Sequence, residues 1–153
     1  MPLIINDRLD IALAVDADGL HIGQNDIPYE VARKILGQDK IIGLSVESLE
    51  DTLKANELDI DYIGISPVFS TPTKTDTAKA LGLTGATEIN SLSKHPSVGI
   101  GGIHLDNVTE VIKTGSEGVS VVSEIMAATD PRLASKKLIQ RIIHAKRQKN
   151  ETI

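Results

Sequence analysis

Cysteine is absent from the sequence, which excludes disulfide bonds, thiol nucleophiles and cysteine-bound metals. Aromatic side chains are scarce as well, with two tyrosines, one phenylalanine and no tryptophan among 153 residues. Proteins that stack nucleic-acid bases need aromatic platforms, and the net charge of −5 opposes binding to a polyanionic duplex. Nucleic acid is therefore not an expected partner.

Long apolar runs are missing too. No run approaches the roughly 18 residues of a membrane-spanning helix, and the first residues do not follow the pattern of a secretory signal peptide. We therefore expect a cytoplasmic protein without a membrane partner. The hydrophobic content of 41% is typical of a globular chain that is long enough for one core.

What the sequence does contain is a regular alternation of short apolar runs and segments with helical periodicity. The runs are rich in isoleucine and valine, as buried parallel strands are. The pattern predicts a single α/β domain over residues 1–153, with helices covering a parallel sheet. The predicted strands are Pro2–Ile5, Gly19–Ile22, Lys40–Leu44, Ile60–Ile65, Val98–Gly101 and Gly118–Val122, and the predicted helices are Arg8–Val15, Pro28–Leu36, Ser48–Asn56, Thr87–Leu92, Asp106–Lys113 and Pro131–Lys149.

Polar or glycine residues follow every predicted strand at its carboxyl end. The carboxyl ends of parallel strands carry the active sites of α/β sheets and barrels. Since the opposite end is predicted to carry only turn residues, we expect the active site at the carboxyl end. The residues concerned are Asn6 and Asp7, Gly23–Asp26, Ser45, Ser66–Asp76, Gly101 and Gly102, and Ser123 and Glu124.

Two carboxylates, Asp7 and Asp26, lie one βα unit apart at this end. Carboxylate oxygens suit a hard cation, most naturally Mg²⁺. The alternative is that one or both aspartates cap the helix that follows. The two histidines nearest to the motifs are given no catalytic role, because His21 is predicted to lie in the core and His104 on the surface.

The loop Ser66–Asp76 is predicted to bind phosphate. Thr71, Thr73 and Lys74 offer short donors and one point charge within a proline-containing segment, although such loops are also common as solvated connectors. A second phosphate site is predicted where the glycines after the fifth strand meet Ser123, which opens a short helical segment. Mg²⁺, lysine and threonine hydroxyls together suit a departing pyrophosphate.

These motifs, in this order and spacing, resemble the thiamine-phosphate synthase family. The resemblance covers nearly the whole chain, from Pro2 to Ile143, and the Thr-x-Thr-Lys loop together with the Gly-Gln-x-Asp motif makes it specific. The matching segments are Pro2–Asp7, Ala17–Gln24 with Asp26, Ser66–Lys74, Val98–Ile103 and Glu117–Ile125.

The resemblance implies a TIM (β/α)8 barrel that couples 4-amino-2-methyl-5-pyrimidylmethyl diphosphate to 4-methyl-5-(2-phosphoethyl)thiazole. The products are thiamine phosphate and pyrophosphate. With no general base among the candidates, we expect a dissociative substitution. The resemblance implies that Asp7 and Asp26 bind Mg²⁺ and that Asn6, Thr71 and Thr73 bind the diphosphate. It implies catalytic roles for Lys74 and for Ser45, which contacts the pyrimidine. Gly102, Val122 and Ser123 are implied to bind the thiazole phosphate.

The sequence departs from the family in having about six βα units instead of eight. Family members carry two further units at the N-terminus, one of which holds a Gln-x-Arg-x-Lys motif that also grips the diphosphate. We therefore expect an incomplete barrel, and as a partner either a second copy or another chain that completes the sheet. Two other functions stay open: a thiazole tautomerase-like paralogue, although that branch has a histidine in place of Glu47, and a truncated, non-catalytic thiazole-phosphate-binding protein.

Overall fold

The computed structural model describes residues 1–70 and 79–151. Within them, six parallel strands form one sheet in chain order, with helices between consecutive strands. None of the described helices is long and apolar enough to span a membrane. The strands are β1 Ile4–Asn6, β2 Gly19–Ile22, β3 Ile41–Val46, β4 Tyr62–Ile65, β5 Ser97–Ile100 and β6 Gly118–Ser120, and the helices are α1 Leu9–Ala14, α2 Tyr29–Leu36, α3 Leu49–Ala55, α4 Gly82–Leu92, α5 Val108–Lys113, α6 Ser123–Met126 and α7 Pro131–Glu151.

One face of the sheet is apolar and lies beneath the helices. The parallel register pairs Leu20 with Ile42 and Leu44 with Ile63, so these side chains share one face. They are buried together with apolar residues of the helices, such as Ala32 of α2. This packing is the hydrophobic core, which stabilises the fold by removing apolar surface from water.

The opposite face, here called the inner face, carries polar residues and glycines together with apolar residues such as Ile100. In register across β1 to β4 lie Asn6, His21, Gly43 and Tyr62, with Ser45 one step further along β3. In a closed barrel this face would be the interior. Among the described residues, β1 and β6 each pair with one neighbour only, so the sheet has two open edges and is an incomplete barrel.

The amino ends of the strands are held by hydrogen bonds from side chains to backbone. The Asp18 carboxylate accepts from the Leu3 N–H at 2.6 Å, and the Asp61 carboxylate accepts from the Ile42 N–H at 2.8 Å. Buried Arg33 donates to the carbonyl oxygens of Lys40 and Asp59, at 2.7 and 3.1 Å. Asp18 and Asp61 belong to the turns before β2 and β4, as predicted for this end, whereas the contribution of Arg33 from α2 was not predicted.

The element boundaries follow the predictions closely, with one large difference. Helix α4 begins at Gly82, five residues before the predicted start at Thr87. The Leu81 N–H donates to Pro67 O and the Gly82 N–H to Val68 O, so the chain is tied to the residues after β4 where the helix begins. Gly82 and Gly85 read as helix breakers in the sequence, which is why the first turn was missed.

Candidate active site

The first strand ends at Asn6 and Asp7, both at the carboxyl end of the sheet. The Asp7 N–H donates to His21 O at 2.8 Å, which extends the pairing of β1 with β2 by one residue. Asp7 then adopts a φ of 64°. This left-handed conformation costs a non-glycine residue about 1 kcal/mol, and aspartate tolerates it better than most. The strain ends the strand and leaves a half-buried carboxyl group at the rim.

The turn after β2 explains the spacing of the Gly-Gln-x-Asp motif. The Gly23 N–H donates to Asp26 Oδ2 at 2.6 Å, and a Cβ at Gly23 would lie 3.0 Å from that oxygen. Gln24 Nε2 donates to Ser45 O at 2.6 Å, so the same turn is also tied to β3. The hydrogen bond of the Asp26 carboxylate thus goes back to Gly23 rather than forward to helix α2, which disfavours the helix-capping interpretation for Asp26.

The chemistry of this donor set fits Mg²⁺. Asp7 and Asp26 offer only oxygen ligands, which hard cations prefer, and one Asp26 oxygen is already oriented by Gly23. In residues 1–70 and 79–151, no group of three or more His, Asp or Glu side chains could hold a metal by itself. Two carboxylates would therefore need water or substrate oxygens to complete the coordination of the ion.

Ser45 belongs to a polar cluster on the inner face. Its Oγ lies 2.9 Å from His21 Nε2, and His21 Nδ1 lies 3.0 Å from Tyr62 Oη. Burial lowers the pKa of His21 to about 4, a change that the nearby Asp26 carboxylate opposes. Burial, with a contribution from Asp61, raises the pKa of Tyr62. At neutral pH the cluster is therefore a neutral imidazole between two hydroxyl groups.

His21 is the residue that the sequence analysis misjudged. It is buried, as predicted, but it lies on the polar inner face and contacts Ser45 instead of the hydrophobic core. His104 is exposed, as predicted. Tyr62 was not singled out as a site residue, and Gln24 was included only as part of the segment Gly23–Asp26.

The segment after β4 is packed against the glycine turn after β5. The Val68 N–H donates to Ile100 O at 2.7 Å and the Phe69 N–H to Gly101 O at 3.1 Å. Gly102 has a φ of 60°, and a Cβ there would lie 2.7 Å from Ser70 O. Glycine is required because both the backbone conformation and the close approach exclude a side chain. Two segments that the sequence analysis assigned to different phosphate groups are thus in direct contact.

Val122 and Ser123 lie at the start of α6, and both are exposed. The Leu105 N–H donates to Glu124 Oε1 at 3.2 Å, which ties the loop after the glycine turn to α6. The loops that carry Gly102 and Ser123 are therefore neighbours, while the second phosphate site itself stays a prediction. The predicted diphosphate residues Thr71, Thr73 and Lys74 lie outside the described residues, and their roles stay predictions.

The family is decided by comparison with known proteins. A family model described as "Thiamine monophosphate synthase" matches residues 1–125 of the chain. The chain belongs to this family. The resemblance inferred from the motifs is confirmed, and so is the incomplete α/β barrel.

The curated relatives are named thiamine-phosphate synthase. The protein from Albidiferax ferrireducens is 49% identical over 93% of this chain and 65% of its own length. The protein from Syntrophomonas wolfei is 50% identical over 92% of this chain and 67% of its own length. The chain therefore spans about two thirds of the length of the curated relatives that it matches.

A solved structure agrees with these relatives. Thiamine phosphate pyrophosphorylase from Pyrococcus furiosus is 44% identical to this chain, with a TM-score of 0.84 over 93% of the chain and 67% of that structure. A 3-hexulose-6-phosphate synthase matches with a TM-score of 0.63 at 19% identity, a likeness that concerns the fold alone.

Proposed function

We propose that this chain provides the thiamine-phosphate synthase site, joining 4-amino-2-methyl-5-pyrimidylmethyl diphosphate to 4-methyl-5-(2-phosphoethyl)thiazole. The observation that carries the proposal is the identity of about one half to synthases over nine tenths of the chain. The position of Asn6, Asp7, Asp26 and Ser45 at the carboxyl ends of three neighbouring strands supports it. The reaction is assigned to the cytoplasm.

In the proposed reaction, the bond between the pyrimidylmethyl carbon and the diphosphate oxygen breaks, and the electron pair leaves with pyrophosphate. The lone pair of the thiazole nitrogen then forms the new carbon–nitrogen bond. No proton transfer is needed, so the protein contributes positioning and stabilisation of the leaving anion. Ser45 contacts the pyrimidine in this scheme, and Lys74 stabilises the departing charge.

Asp7 and Asp26 are the residues that would hold Mg²⁺. When bound, Mg²⁺ would neutralise charge on the diphosphate. Because the two carboxylates supply only part of an octahedral shell, metal binding is expected to strengthen when the diphosphate adds its oxygens. Asn6, Thr71 and Thr73 are assigned to the diphosphate, and Gly102, Val122 and Ser123 to the thiazole phosphate.

The open edges of β1 and β6 support a proposal about partners. Closing a barrel of this kind takes eight strands, and residues 1–70 and 79–151 form six. We propose that a polypeptide with two βα units fits between these edges and supplies the remaining diphosphate ligands. A second copy of this chain is the alternative partner.

The test is formation of thiamine phosphate, read as fluorescent thiochrome after oxidation. The chain is assayed with both substrates and Mg²⁺, alone and with a separate polypeptide that carries the two N-terminal βα units of a family member. The proposal predicts product in at least the second mixture and none with a chelator. No product in either mixture, from folded protein, would contradict it.

A non-catalytic thiazole-phosphate-binding protein is the second candidate. Its proposed ligands, Gly102, Val122 and Ser123, all lie among the described residues, and the loops that carry them are joined by the hydrogen bond from the Leu105 N–H to Glu124 Oε1. Calorimetric titration with each substrate separates the two functions. A binding protein would take up thiazole phosphate and ignore the diphosphate in every mixture, whereas the synthase binds both.

A further inference from the structure

His21 uses both ring nitrogens, and this arrangement determines what the Ser45 hydroxyl can do. The distances are 3.0 Å from Nδ1 to Tyr62 Oη and 2.9 Å from Nε2 to Ser45 Oγ. A neutral imidazole has one N–H and one lone pair. One of the two hydroxyl groups must therefore donate to the ring, and the other must accept from it.

Two glycines create the space in which the rings lie. A Cβ at Gly43 would be 2.2 Å from the Tyr62 ring, and a Cβ at Gly64 would be 3.0 Å from His21 Cε1. The two ring centroids are 5.4 Å apart with an interplanar angle of 31°. Since His21 is only 8% exposed, the imidazole is held in one orientation, and its two nitrogens cannot exchange partners.

The direction of the hydrogen bonds follows from the acidity of the two hydroxyl groups. A phenol, with an ordinary pKa near 10, is a stronger donor than the aliphatic hydroxyl of serine. Tyr62 is therefore expected to donate to His21 Nδ1, which puts the imidazole proton on Nε2. The Nε2–H group then donates to Ser45 Oγ.

We propose that His21 is a positioning residue that makes Ser45 a hydrogen-bond donor towards the ligand. With its oxygen engaged by His21 Nε2–H, the serine hydroxyl has its own proton left for an acceptor atom at the mouth of the site. The main chain of Ser45 is fixed as well, because its carbonyl oxygen accepts from Gln24 Nε2 at 2.6 Å. A ring nitrogen with a lone pair would be favoured over an N–H group at this point.

The hydrogen-bond direction itself does not depend on the proposed function. Its consequence for ligand choice does, because it takes the pyrimidine ring to be the ligand that Ser45 meets. The two claims can therefore fail separately, and they are tested by separate readouts.

The hydrogen-bond direction is tested by ¹⁵N NMR of the histidine side chains in the full chain. The sequence has four histidines, and the His21 signals are those lost in His21→Gln. At neutral pH we expect the neutral tautomer with the proton on Nε2. In Tyr62→Phe the phenol donor is gone, so the proton is expected to move to Nδ1 while Ser45 donates to Nε2. An Nδ1–H tautomer in the unsubstituted chain would overturn the proposal.

The effect on the ligand is measured by calorimetric binding of 4-amino-2-methyl-5-hydroxymethylpyrimidine, which has no leaving group. Tyr62→Phe and Ser45→Ala are expected to weaken binding about tenfold, the equivalent of one hydrogen bond. The matched control is Tyr29→Phe, whose hydroxyl donates to Asp59 O at the other end of the sheet.

Equal affinity in Tyr62→Phe and the unsubstituted chain would overturn the positioning role. Absence of pyrimidine binding by the unsubstituted chain would count against the proposed function, while the NMR result would still decide the direction of the hydrogen bonds. Thermal unfolding of each variant separates loss of binding from loss of fold.

Discussion

The two ends of the six-stranded sheet both carry polar side chains, but these side chains have different partners. At the amino end, Asp18, Arg33 and Asp61 bond to backbone groups at or just before the starts of strands β1 and β3. At the carboxyl end, the hydroxyl of Ser45 contacts the side chain of His21. One carboxylate oxygen of Asp26 accepts a hydrogen bond from the Gly23 N–H in the turn after β2. The amino end satisfies the backbone, and the carboxyl end retains groups that can meet a ligand.

From this contrast we expect some substitutions to affect stability and others to affect function. Buried backbone groups without partners are costly, so loss of a side chain at the amino end should lower the free energy of unfolding. Loss of a side chain at the carboxyl end should mainly lower activity per folded molecule. The following predictions test that division, in order of expected size.

The largest effect is expected for Lys74→Ala. Lys74 is proposed to stabilise the leaving pyrophosphate, so loss of its positive charge should lower turnover by at least about 10²-fold. Lys79→Ala is the matched control, since Lys79 is an exposed lysine in the same connection. The measurement is thiochrome formation in the mixture that gives product, and a near-normal rate in Lys74→Ala would remove Lys74 from the mechanism.

Arg33→Met should lower the free energy of unfolding by about 3 kcal/mol, because the substitution leaves carbonyl oxygens of residues 37, 40 and 59 without their donor. Activity per folded molecule should stay unchanged. Urea unfolding measures the change, and Arg141→Met, at an exposed site on α7, is the control with little expected effect. A variant as stable as the unsubstituted chain would contradict the role given to the amino end.

The pH dependence of the free energy of unfolding should show the lowered pKa of His21. Its pKa is lowered from 6.5 to about 4 in the folded protein, so between these values the unfolded chain binds more protons. Stability is therefore present at neutral pH and is lost as the pH falls from about 6.5 towards about 4, by roughly 2–3 kcal/mol.

Urea unfolding across this range should show a shallower slope for His21→Gln than for the unsubstituted chain. His104→Gln, at an exposed position, should keep the full slope. Identical slopes in all three proteins would mean that His21 titrates normally when folded.

Much of this division could be predicted from local sequence. Strand Gly19–Ile22 was predicted with its observed boundaries, because isoleucine-rich runs between helical segments are a strong signal. The motif residues Asp7, Asp26 and Ser45 were assigned to the carboxyl end for the same reason, since strand ends can be read from the runs.

The roles of His21 and Arg33 could not be predicted from the sequence, because they depend on residues that are close in space but distant along the chain. His21 lies in a run of buried residues, and only the register with Gly43 and Tyr62 shows that it faces a polar cluster. In the sequence, Arg33 looks like an ordinary helix residue. In the structure, its guanidinium donates to the carbonyl oxygens of Lys40 and Asp59, which precede β3 and β4. Its role depends on contacts up to 26 residues away along the chain, which helical periodicity does not record.

The most direct test compares Asp18→Ala with Asp26→Ala. Each aspartate accepts one backbone N–H bond at 2.6 Å, at opposite ends of the sheet. Both substitutions should therefore cost about 1 kcal/mol of stability. The decisive measurement is the Mg²⁺-dependent rate of thiamine phosphate formation per folded molecule. We predict at least about a tenfold loss for Asp26→Ala and no loss for Asp18→Ala. Equal rates in the two variants would contradict the placement of the active site at the carboxyl end.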